Sequence, residues 1–245
     1  MQHGHGRAAA IVLAGGSGSR FGAPVNKVYL PLAGRPVVAW SLAVVAAHPQ
    51  VGPVVLVARE DDLGAAHDAV RAVPDAAAAA RIEVTTGGAS RQESELAGLR
   101  RLAERIADTR VDVVLVHDGA RPLLTAELVD RVLAAARESG GAVPGLARDD
   151  LVAAGPDGAP TGPAPAGLVA VQTPQGFRAA PLLAAYEAAA REGFAGTDTE
   201  SCVARFAPGL AVRRVDGEGR NIKITYSHDL AVATAVLAGT RPAVG

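Results

Sequence analysis

Cysteine, aromatic residues and an excess of either charge are all scarce in this sequence, and each shortage excludes a class of protein. The single cysteine, Cys202, rules out an internal disulfide and favours a reducing, cytoplasmic compartment. Aromatic residues make up only 3% of the chain, so the core must be built from Val, Leu, Ile and Ala, as is typical of parallel strands covered by alanine-rich helices. No signal peptide and no apolar run long enough to cross a bilayer is recognisable, so we expect no membrane partner.

The charge balance and the length of the chain further limit the classes of ligand and the number of domains that we expect. With a net charge of −1, the chain offers no general attraction for nucleic acid or an anionic membrane surface, so any anion site must be local. The 245 residues, 49% hydrophobic and 20% charged, have the composition of an ordinary globular protein. We expect a polar N-terminal tail over residues 1–7 and a single domain over residues 8–240.

Residues 8–27, AAAIVLAGGSGSRFGAPVNK, contain the strongest functional signal. The apolar run 8–13 predicts a buried strand, and the glycines at 15, 16 and 18 then permit a tight turn whose backbone N–H groups approach an anion. Arg20 and Lys27 add two positive charges on the same connection, and such charges stabilise a phosphorus under attack. The loop is therefore predicted to bind phosphate.

Other glycine-loop motifs fit this stretch less well. The dinucleotide fingerprint GxGxxG requires Gly or Ala where Phe21 stands, and no Gly-Lys-Ser/Thr follows to make a Walker loop. A purely structural turn would leave Arg20 and Lys27 unexplained. The pattern LAGGxGxR followed by a lysine resembles the signature of nucleotidyltransferases that join an NTP to a phosphorylated acceptor.

Two further predicted strands end in polar residues. Residues 82–86 lead into GGASRQES, whose hydroxyls at a predicted helix start are compatible either with contacts to a base or ribose or with a plain N-cap. Residues 112–116 lead into Asp118 and Arg121, at the edge where open α/β sheets bind ligands. Asp118 is expected to hold ribose hydroxyls or magnesium and Arg121 an acceptor phosphate, with a loop salt bridge as the alternative.

The second half of the chain adds an unusual segment and a second lysine. Residues 147–167 are dominated by Gly, Pro and Ala, and this composition predicts an excursion from the domain. Lys223 lies in NIKIT, which is expected to be an apolar strand. The lysine is there either an exposed edge residue or a ligand clamp.

Six sequence blocks occur in order through residues 10–230: LAGGSGSRFG with Lys27, GGASRQES, VHDGARP, VQTPQGF, TDTES and NIKIT. Together they resemble the 2-C-methyl-D-erythritol 4-phosphate cytidylyltransferase family of the non-mevalonate isoprenoid pathway. The resemblance implies an α/β fold with a Rossmann-like, mostly parallel sheet flanked by helices, the nucleotidyltransferase fold, and a protruding β-arm. It also implies Mg²⁺-dependent transfer of CMP from CTP to a sugar-alcohol phosphate with release of pyrophosphate. A homodimer is expected, in which the arm, here residues 145–170, completes the neighbouring subunit's site.

The resemblance also assigns roles to individual residues. Arg20 and Lys27 would stabilise the pentacoordinate phosphorus and the leaving pyrophosphate, and Lys223 would orient the attacking phosphate. The remaining substrate contacts would come from Gly88 and Ser94 to cytosine, Asp118 to ribose or metal, Arg121 to the acceptor, Thr173, and a triphosphate loop of Ala14, Gly15, Gly16, Ser17 and Gly18. No catalytic Ser, Cys or His is expected, because the nucleophile is the substrate's own phosphate.

The departures from the family are concentrated in the arm. The family has an Asp-Thr pair followed by a lysine, and an arginine shortly before the VQTPQ-like strand. Here the first place reads Asp150-Leu151-Val152-Ala153 and the second falls near Pro165, which leaves Arg148 as a candidate substitute. The favoured interpretation is a 2-C-methyl-D-erythritol 4-phosphate cytidylyltransferase with a rearranged acceptor site. The alternatives are a cytidylyltransferase for another polyol phosphate, such as ribitol 5-phosphate, and an inactive CTP-binding paralogue.

Overall fold

The computed structural model describes residues 7–16, 26–194, 196 and 199–239, and within them strands and helices alternate along most of the chain. The strands are β1 Arg7–Leu13, β2 Pro31–Leu32, β3 Arg35–Pro36, β4 Val51–Ala58, β5 Ile82–Thr86, β6 Val111–Asp118, β7 Gly140–Ala147, β8 Val152–Ala154, β9 Pro160–Pro163, β10 Val169–Val171, β11 Gln175–Arg178 and β12 Ala211–Asp216. The α-helices are α1 Val37–Ala47, α2 Leu63–Arg71, α3 Ala76–Ala79, α4 Arg91–Arg101, α5 Ala103–Ala107, α6 Ala126–Ser139, α7 Ala179–Arg191, α8 Thr199–Phe206 and α9 Ser227–Gly239. Short 3₁₀ turns cover Lys27–Tyr29 and Glu60–Asp62.

The central sheet is mixed and mostly parallel, as the resemblance implies. Its strand order is β10-β7-β11-β6-β1-β4-β5, and β12 pairs with β7. β1 lies between β4 and β6 and is parallel to both, and β5 continues the parallel set beyond β4. β11 runs antiparallel between β6 and β7. The carboxyl ends of β1, β4, β5 and β6 therefore meet along one edge of the sheet.

Helices cover both faces of the sheet. The alternating side chains of β1 are fully buried on both sides, with Val12 in one apolar cluster and Ile11 in another. The first cluster includes residues of α1, α2 and α6, and the second includes residues of α4, α5, α7 and α8. Strands buried on both faces read as continuous apolar runs, which is why the sequence revealed them so clearly.

The excursion predicted for residues 147–167 leaves the central sheet. β7 and β10 pair antiparallel at its base, and between them β8 and β9 form a separate two-stranded sheet. We refer to residues 148–168 as the arm. The predicted limits of 145 and 170 fall within β7 and β10, so the projecting part is a little shorter than the sequence suggested.

The prediction of a strand at NIKIT is wrong. Residues 221–225 adopt no regular secondary structure. Their apolar side chains, Ile222 and Ile224, pack instead into a small cluster with Leu32 and Val37, so burial against α1 explains the apolar composition. β1 begins at Arg7, which we had assigned to the tail. In the described part of the chain, none of the helices combines the length and hydropathy needed to cross a bilayer.

Candidate active site

A cavity of about 370 Å³ opens at the edge of the sheet where β1, β5 and β6 end. Four parts of the chain line it: the turn after β1, the segment 26–28, the turn into α4, and the end of β6 with Lys223. Seven of the expected site residues are among the lining residues, namely Gly15, Gly16, Lys27, Gly88, Ser94, Asp118 and Lys223. Ser17, Gly18 and Arg20 lie outside the described residues.

The turn after β1 is fixed by hydrogen bonds on both sides. The Ala14 N–H donates to the Val57 carbonyl at 2.8 Å, and its own carbonyl accepts from Asn26 Nδ2 at 2.7 Å. Asn26 Nδ2 also donates to Asp62 Oδ2 at 2.9 Å. Ala14 is therefore fully buried and holds the turn in place, while Gly15 and Gly16 face the cavity. The same anchor at Asn26 places the neighbouring Lys27, which is 9% exposed, on the cavity wall.

The turn into α4 is a capping box. Ser90 Oγ accepts from the Glu93 N–H at 3.1 Å, and Glu93 Oε2 accepts from the Ser90 N–H at 3.2 Å. Ser94 Oγ donates to the Ser90 carbonyl at 2.9 Å and lies 3.3 Å from the Gly88 nitrogen. A Cβ on Gly88 would lie 2.3 Å from Glu93 Cβ, so this turn requires glycine. The N-cap considered from the sequence is therefore present, and the turn also lines the cavity. Its contact with a base or ribose stays a prediction.

Asp118, at the end of β6, is the centre of a buried charge network. Arg91 Nη1 lies 2.6 Å from its Oδ1, and Lys223 Nζ lies 2.7 Å from its Oδ2. Burial works to raise the pKa of Asp118, but the charges of Arg91 and Lys223 outweigh it and hold that pKa well below its ordinary value. Asp118 is therefore ionised, and the salt-bridge alternative considered from the sequence is present in this structure.

Arg91 and Glu95 are site residues that the sequence reasoning missed. Glu95 is 1% exposed; its Oε1 lies 2.9 Å from Arg91 Nε, and it accepts hydrogen bonds from Thr199 at 3.0 Å and from Tyr186. Burial raises the pKa of Glu95, and the charge of Arg91 opposes that rise. Arg91 thus bridges two carboxylates, and it lines the cavity. The i, i+4 spacing of Arg91 and Glu95 at the start of a predicted helix was the available signal.

The segment that carries Lys223 is irregular but firmly held. Asn221 is fully buried and its Nδ2 donates to the Thr173 carbonyl at 2.8 Å. The Gln172 side chain makes two hydrogen bonds to the backbone of Glu218. Its Nε2 donates to the Glu218 carbonyl at 2.8 Å, and its Oε1 accepts from the Glu218 N–H at 2.9 Å. These contacts give Lys223 a defined position beside Asp118 without a strand.

Arg121 and Thr173 do not line the cavity. Arg121 donates to the carbonyls of Asn221 at 2.7 Å and Val171 at 3.3 Å, and its Nε lies 3.9 Å from Asp118. Thr173 is 4% exposed and accepts from the Asp118 N–H at 3.0 Å. In this structure both residues support the wall that carries Asp118 and Lys223.

The donor set for a metal ion is small. Asp118 is the sole carboxylate on the cavity wall among the described residues, and those residues contain no cluster of three or more His, Cys, Asp or Glu side chains. A closed, all-protein cage is therefore absent from the described part of the chain. One carboxylate is compatible with Mg²⁺, which usually keeps several waters and takes its other ligands from substrate phosphates.

Comparison with known proteins identifies the family. The family model described as "IspD: 2-C-methyl-D-erythritol 4-phosphate cytidylyltransferase" matches residues 8–239. Proteins with the name 2-C-methyl-D-erythritol 4-phosphate cytidylyltransferase from Cereibacter sphaeroides and Geobacter metallireducens are 41% and 38% identical, over 94% and 93% of this chain and 96% of each relative.

Solved structures agree with the sequence comparison. The 4-diphosphocytidyl-2C-methyl-D-erythritol synthase of Anaerococcus prevotii superposes with a TM-score of 0.80 at 26% identity, covering 96% of this chain and 97% of that one. The 2-C-methyl-D-erythritol 4-phosphate cytidylyltransferase of Thermus thermophilus gives 0.70 at 31% identity, covering 95% and 99%. The chain is therefore a nucleotidyltransferase and belongs to the 2-C-methyl-D-erythritol 4-phosphate cytidylyltransferase family.

Proposed function

We propose that this protein transfers CMP from CTP to 2-C-methyl-D-erythritol 4-phosphate, and that the cavity described above is the site of transfer. The observation that carries the proposal is the charge of its wall. Lys27, Arg91 and Lys223 face the cavity, against the single carboxylate of Asp118 in the described part of the wall. A site for two phosphorylated substrates needs such an excess of positive charge.

The reaction needs no nucleophile from the protein. A phosphate oxygen of the acceptor forms a bond to the α-phosphorus of CTP, and the bond from that phosphorus to the bridging oxygen of the β-phosphate breaks. Pyrophosphate leaves with the electron pair. Lys27 would neutralise negative charge on the phosphates, and Lys223 would orient the acceptor phosphate for in-line attack. Arg20 is proposed to act with Lys27, although it lies outside the described residues.

The nucleotide is proposed to lie along the glycine turns. Gly15 and Gly16 bring bare backbone against the phosphates, and Ser17 and Gly18 would extend that loop. Gly88 and Ser94 provide the wall for cytosine. Asp118 would hold a magnesium ion or the ribose. Magnesium, when bound, would neutralise charge on the triphosphate.

The proposal also covers the oligomeric state and the cellular compartment of the protein. A homodimer through the arm is supported by the exposed side chains of Leu151 and Val152 at its base. A cytoplasmic site of action is supported by Cys202, which is buried and unpaired.

One contact favours a second candidate acceptor. Arg148, the candidate substitute for a phosphate ligand in the arm, is already paired with Asp150, at 2.6 and 2.8 Å. A residue held by a neighbouring carboxylate is a weaker phosphate ligand. Arg148 therefore does not restore the family's acceptor site, and an arm that departs from the family there suits an acceptor of a different shape. Another polyol phosphate, such as ribitol 5-phosphate, is the second candidate.

The test is pyrophosphate release by the purified protein with CTP, Mg²⁺ and each acceptor in turn. Release with 2-C-methyl-D-erythritol 4-phosphate supports the first candidate, and release only with ribitol 5-phosphate supports the second. Absence of release with every acceptor, when CTP binding is measurable, would contradict both. Parallel reactions with EDTA test the metal, because the proposal requires release to stop.

A further inference from the structure

A second cavity lies at the opposite edge of the sheet, where β1, β4, β5 and β6 begin. Its volume is about 440 Å³, and four arginines line it, Arg7, Arg81, Arg105 and Arg110, together with Glu83. We call it the basic cleft. The six intervals of β1 place it about 20 Å from the active-site cavity, at roughly 3.3 Å per residue. It is therefore a separate place on the molecule, and the proposed reaction makes no use of it.

The carboxylates around the cleft are already occupied. Glu83 accepts from Arg105 at 2.6 Å and from Arg101 at 2.6 Å, so its charge is shared by two guanidinium groups. Arg110 lies 2.8 Å from Asp108. These contacts leave no carboxylate of the described residues in an ion pair with Arg7 or Arg81.

Arg7 and Arg81 are instead held by backbone carbonyls. Arg7 Nη2 donates to the Pro49 carbonyl at 3.2 Å, and Arg81 Nε donates to the Gly52 carbonyl at 3.2 Å. Arg81 Nη2 makes a further bond to the Val51 carbonyl. These bonds fix the guanidinium groups in position, yet a carbonyl dipole does not neutralise a positive charge.

The two guanidinium groups lie close enough to repel one another. Burial lowers the pKa of Arg81, the positive charge of Arg7 lowers it further, and the negative charge of Asp75 opposes them only in part. The chain as a whole carries a net charge of −1, so this local excess is not a general property of its surface. The fold thus holds like charges together around a space large enough for a ligand.

We infer that the basic cleft binds a small di- or triphosphate anion. Fixed guanidinium groups match phosphate oxygens with pairs of parallel hydrogen bonds, and a multiply charged phosphate neutralises more than one of them at once. A ligand of this class fits the cleft better than a nucleic acid, because the basic area is confined to one small cavity and Glu83 and Asp108 border it.

The test is titration calorimetry with inorganic pyrophosphate as the probe. Pyrophosphate is also a product of the proposed reaction, so the wild-type protein is expected to show two binding events. Lys27→Gln/Lys223→Gln should lose the active-site event and keep the other. Arg7→Gln/Arg81→Gln should weaken the second event tenfold or more, because both substitutions remove charge-assisted bonds to the anion. The same double variant should release pyrophosphate from CTP at the wild-type rate.

The matched control is Arg100→Gln/Arg213→Gln, which removes two exposed arginines that are paired with Glu187 and Glu138. It should leave both binding events intact. Because Arg81 makes two bonds to the backbone, Arg7→Gln alone provides a second variant, at an exposed residue, that should fold normally and weaken the same event. The inference is overturned if Lys27→Gln/Lys223→Gln shows no pyrophosphate-binding event, or if the control pair weakens the second event as much as the cleft pair does.

Discussion

Lysine is nearly absent from this protein, and its position is therefore informative. Of the 24 Lys and Arg residues, only Lys27 and Lys223 are lysines, and both line the active-site cavity. Arginine serves the surface ion pairs, such as that of Arg100 with Glu187 at 2.8 Å. A compact ammonium on a flexible stem can follow a phosphate that moves during the reaction, whereas a planar guanidinium is matched to one geometry.

Replacing Lys27 with Ala should separate activity from stability. We expect kcat to fall by roughly a hundredfold or more, because a charge that stabilises the transition state is lost. The thermal midpoint should hardly change, because Lys27 lies on a cavity wall. Steady-state kinetics and a thermal melt measure the two effects, and Arg100→Ala, at an exposed arginine, should change neither. A loss of thermal stability that matches the loss of activity would contradict the assigned role.

His117 is the fully buried neighbour of Asp118 and is held as a neutral ring. Its Nδ1 lies 3.1 Å from Thr173 Oγ1, and its Nε2 lies 3.1 Å from the Arg121 carbonyl. Because the Arg121 carbonyl can only accept, the neutral ring carries its hydrogen on Nε2, and Nδ1 accepts from the Thr173 hydroxyl. Burial lowers the pKa of His117 from 6.5 to about 4.

The buried histidine makes stability depend on pH in a defined direction. Above pH 6.5 His117 is neutral in both the folded and the unfolded state, so it contributes nothing to the pH dependence of the free energy of unfolding. Between pH 6.5 and 4 only the unfolded state binds the proton, so stability is lost as the pH falls, by about 3 kcal/mol in total. Urea unfolding of the wild type and His117→Asn over this range measures the difference. The variant curve should be flatter; parallel curves would show that His117 titrates normally in the fold.

At the level of elements, apolar runs predicted the central strands well. β1, β4 and β6 are largely buried on both faces, so their sequences are nearly continuous apolar runs bounded by turns. β5, of sequence IEVTT, is only partly buried and gave a weaker signal. NIKIT gave the same signal for a different reason, because Ile222 and Ile224 are buried under α1 and α9 without any strand pairing. Local sequence reports burial, and it cannot tell a strand from a packed coil over five residues.

The sequence predicted where the candidate site lies, but not which of its residues form ion pairs with one another. Ligands bind at the carboxyl ends of parallel strands, and this rule correctly predicted that the glycine turns and Asp118 share one edge of the sheet. The partners of Asp118 are 27 and 105 residues away in sequence, at Arg91 and Lys223, and no local pattern specifies contacts of that separation. Arg121 and Thr173 illustrate the same limit. Arg121 donates to the Asn221 carbonyl and the Thr173 carbonyl accepts from Asn221 Nδ2, so both contacts depend on how the 217–225 segment folds back.

The placement of α4 against β1 gives a test at the level of the element. α4 carries Arg91 and Ser94 into the site, and a Cβ on its Gly98 would lie 2.8 Å from Ile11 Cγ2, a side chain that is fully buried. Gly98→Ala should therefore destabilise the protein by about 1–2 kcal/mol, since overpacking outweighs the gain in helix propensity. It should also weaken CTP binding, because α4 must move away from β1.

The control is the same substitution in another helix. Gly64 lies in α2 with open space around its missing Cβ, so Gly64→Ala should stabilise the protein by up to about 1 kcal/mol. Urea denaturation measures both variants. Equal stabilisation by the two substitutions would mean that α4 does not approach β1 as closely as described.

For the whole molecule, exposed apolar side chains are concentrated at the arm. Of the large hydrophobic residues that are exposed in the described part of the chain, four lie between residues 151 and 171, namely Leu151, Val152, Leu168 and Val171. Two others are Tyr226, just before α9, and Val232, within it. A small two-stranded sheet that leaves the main body has little core of its own, so such a cluster is expected to be covered by another surface.

We therefore expect a homodimer in solution, with the arm in its interface. Val152 is 66% exposed, and Val152→Asp would place a charge in that interface, so the variant should sediment as a monomer at micromolar concentration, where the wild type sediments as a dimer. Val232→Asp is the matched control, because Val232 is also exposed, at 46%, but lies on α9, and its variant should remain dimeric. A monomeric wild type would overturn the expectation, and dissociation by Val232→Asp alone would move the interface to α9.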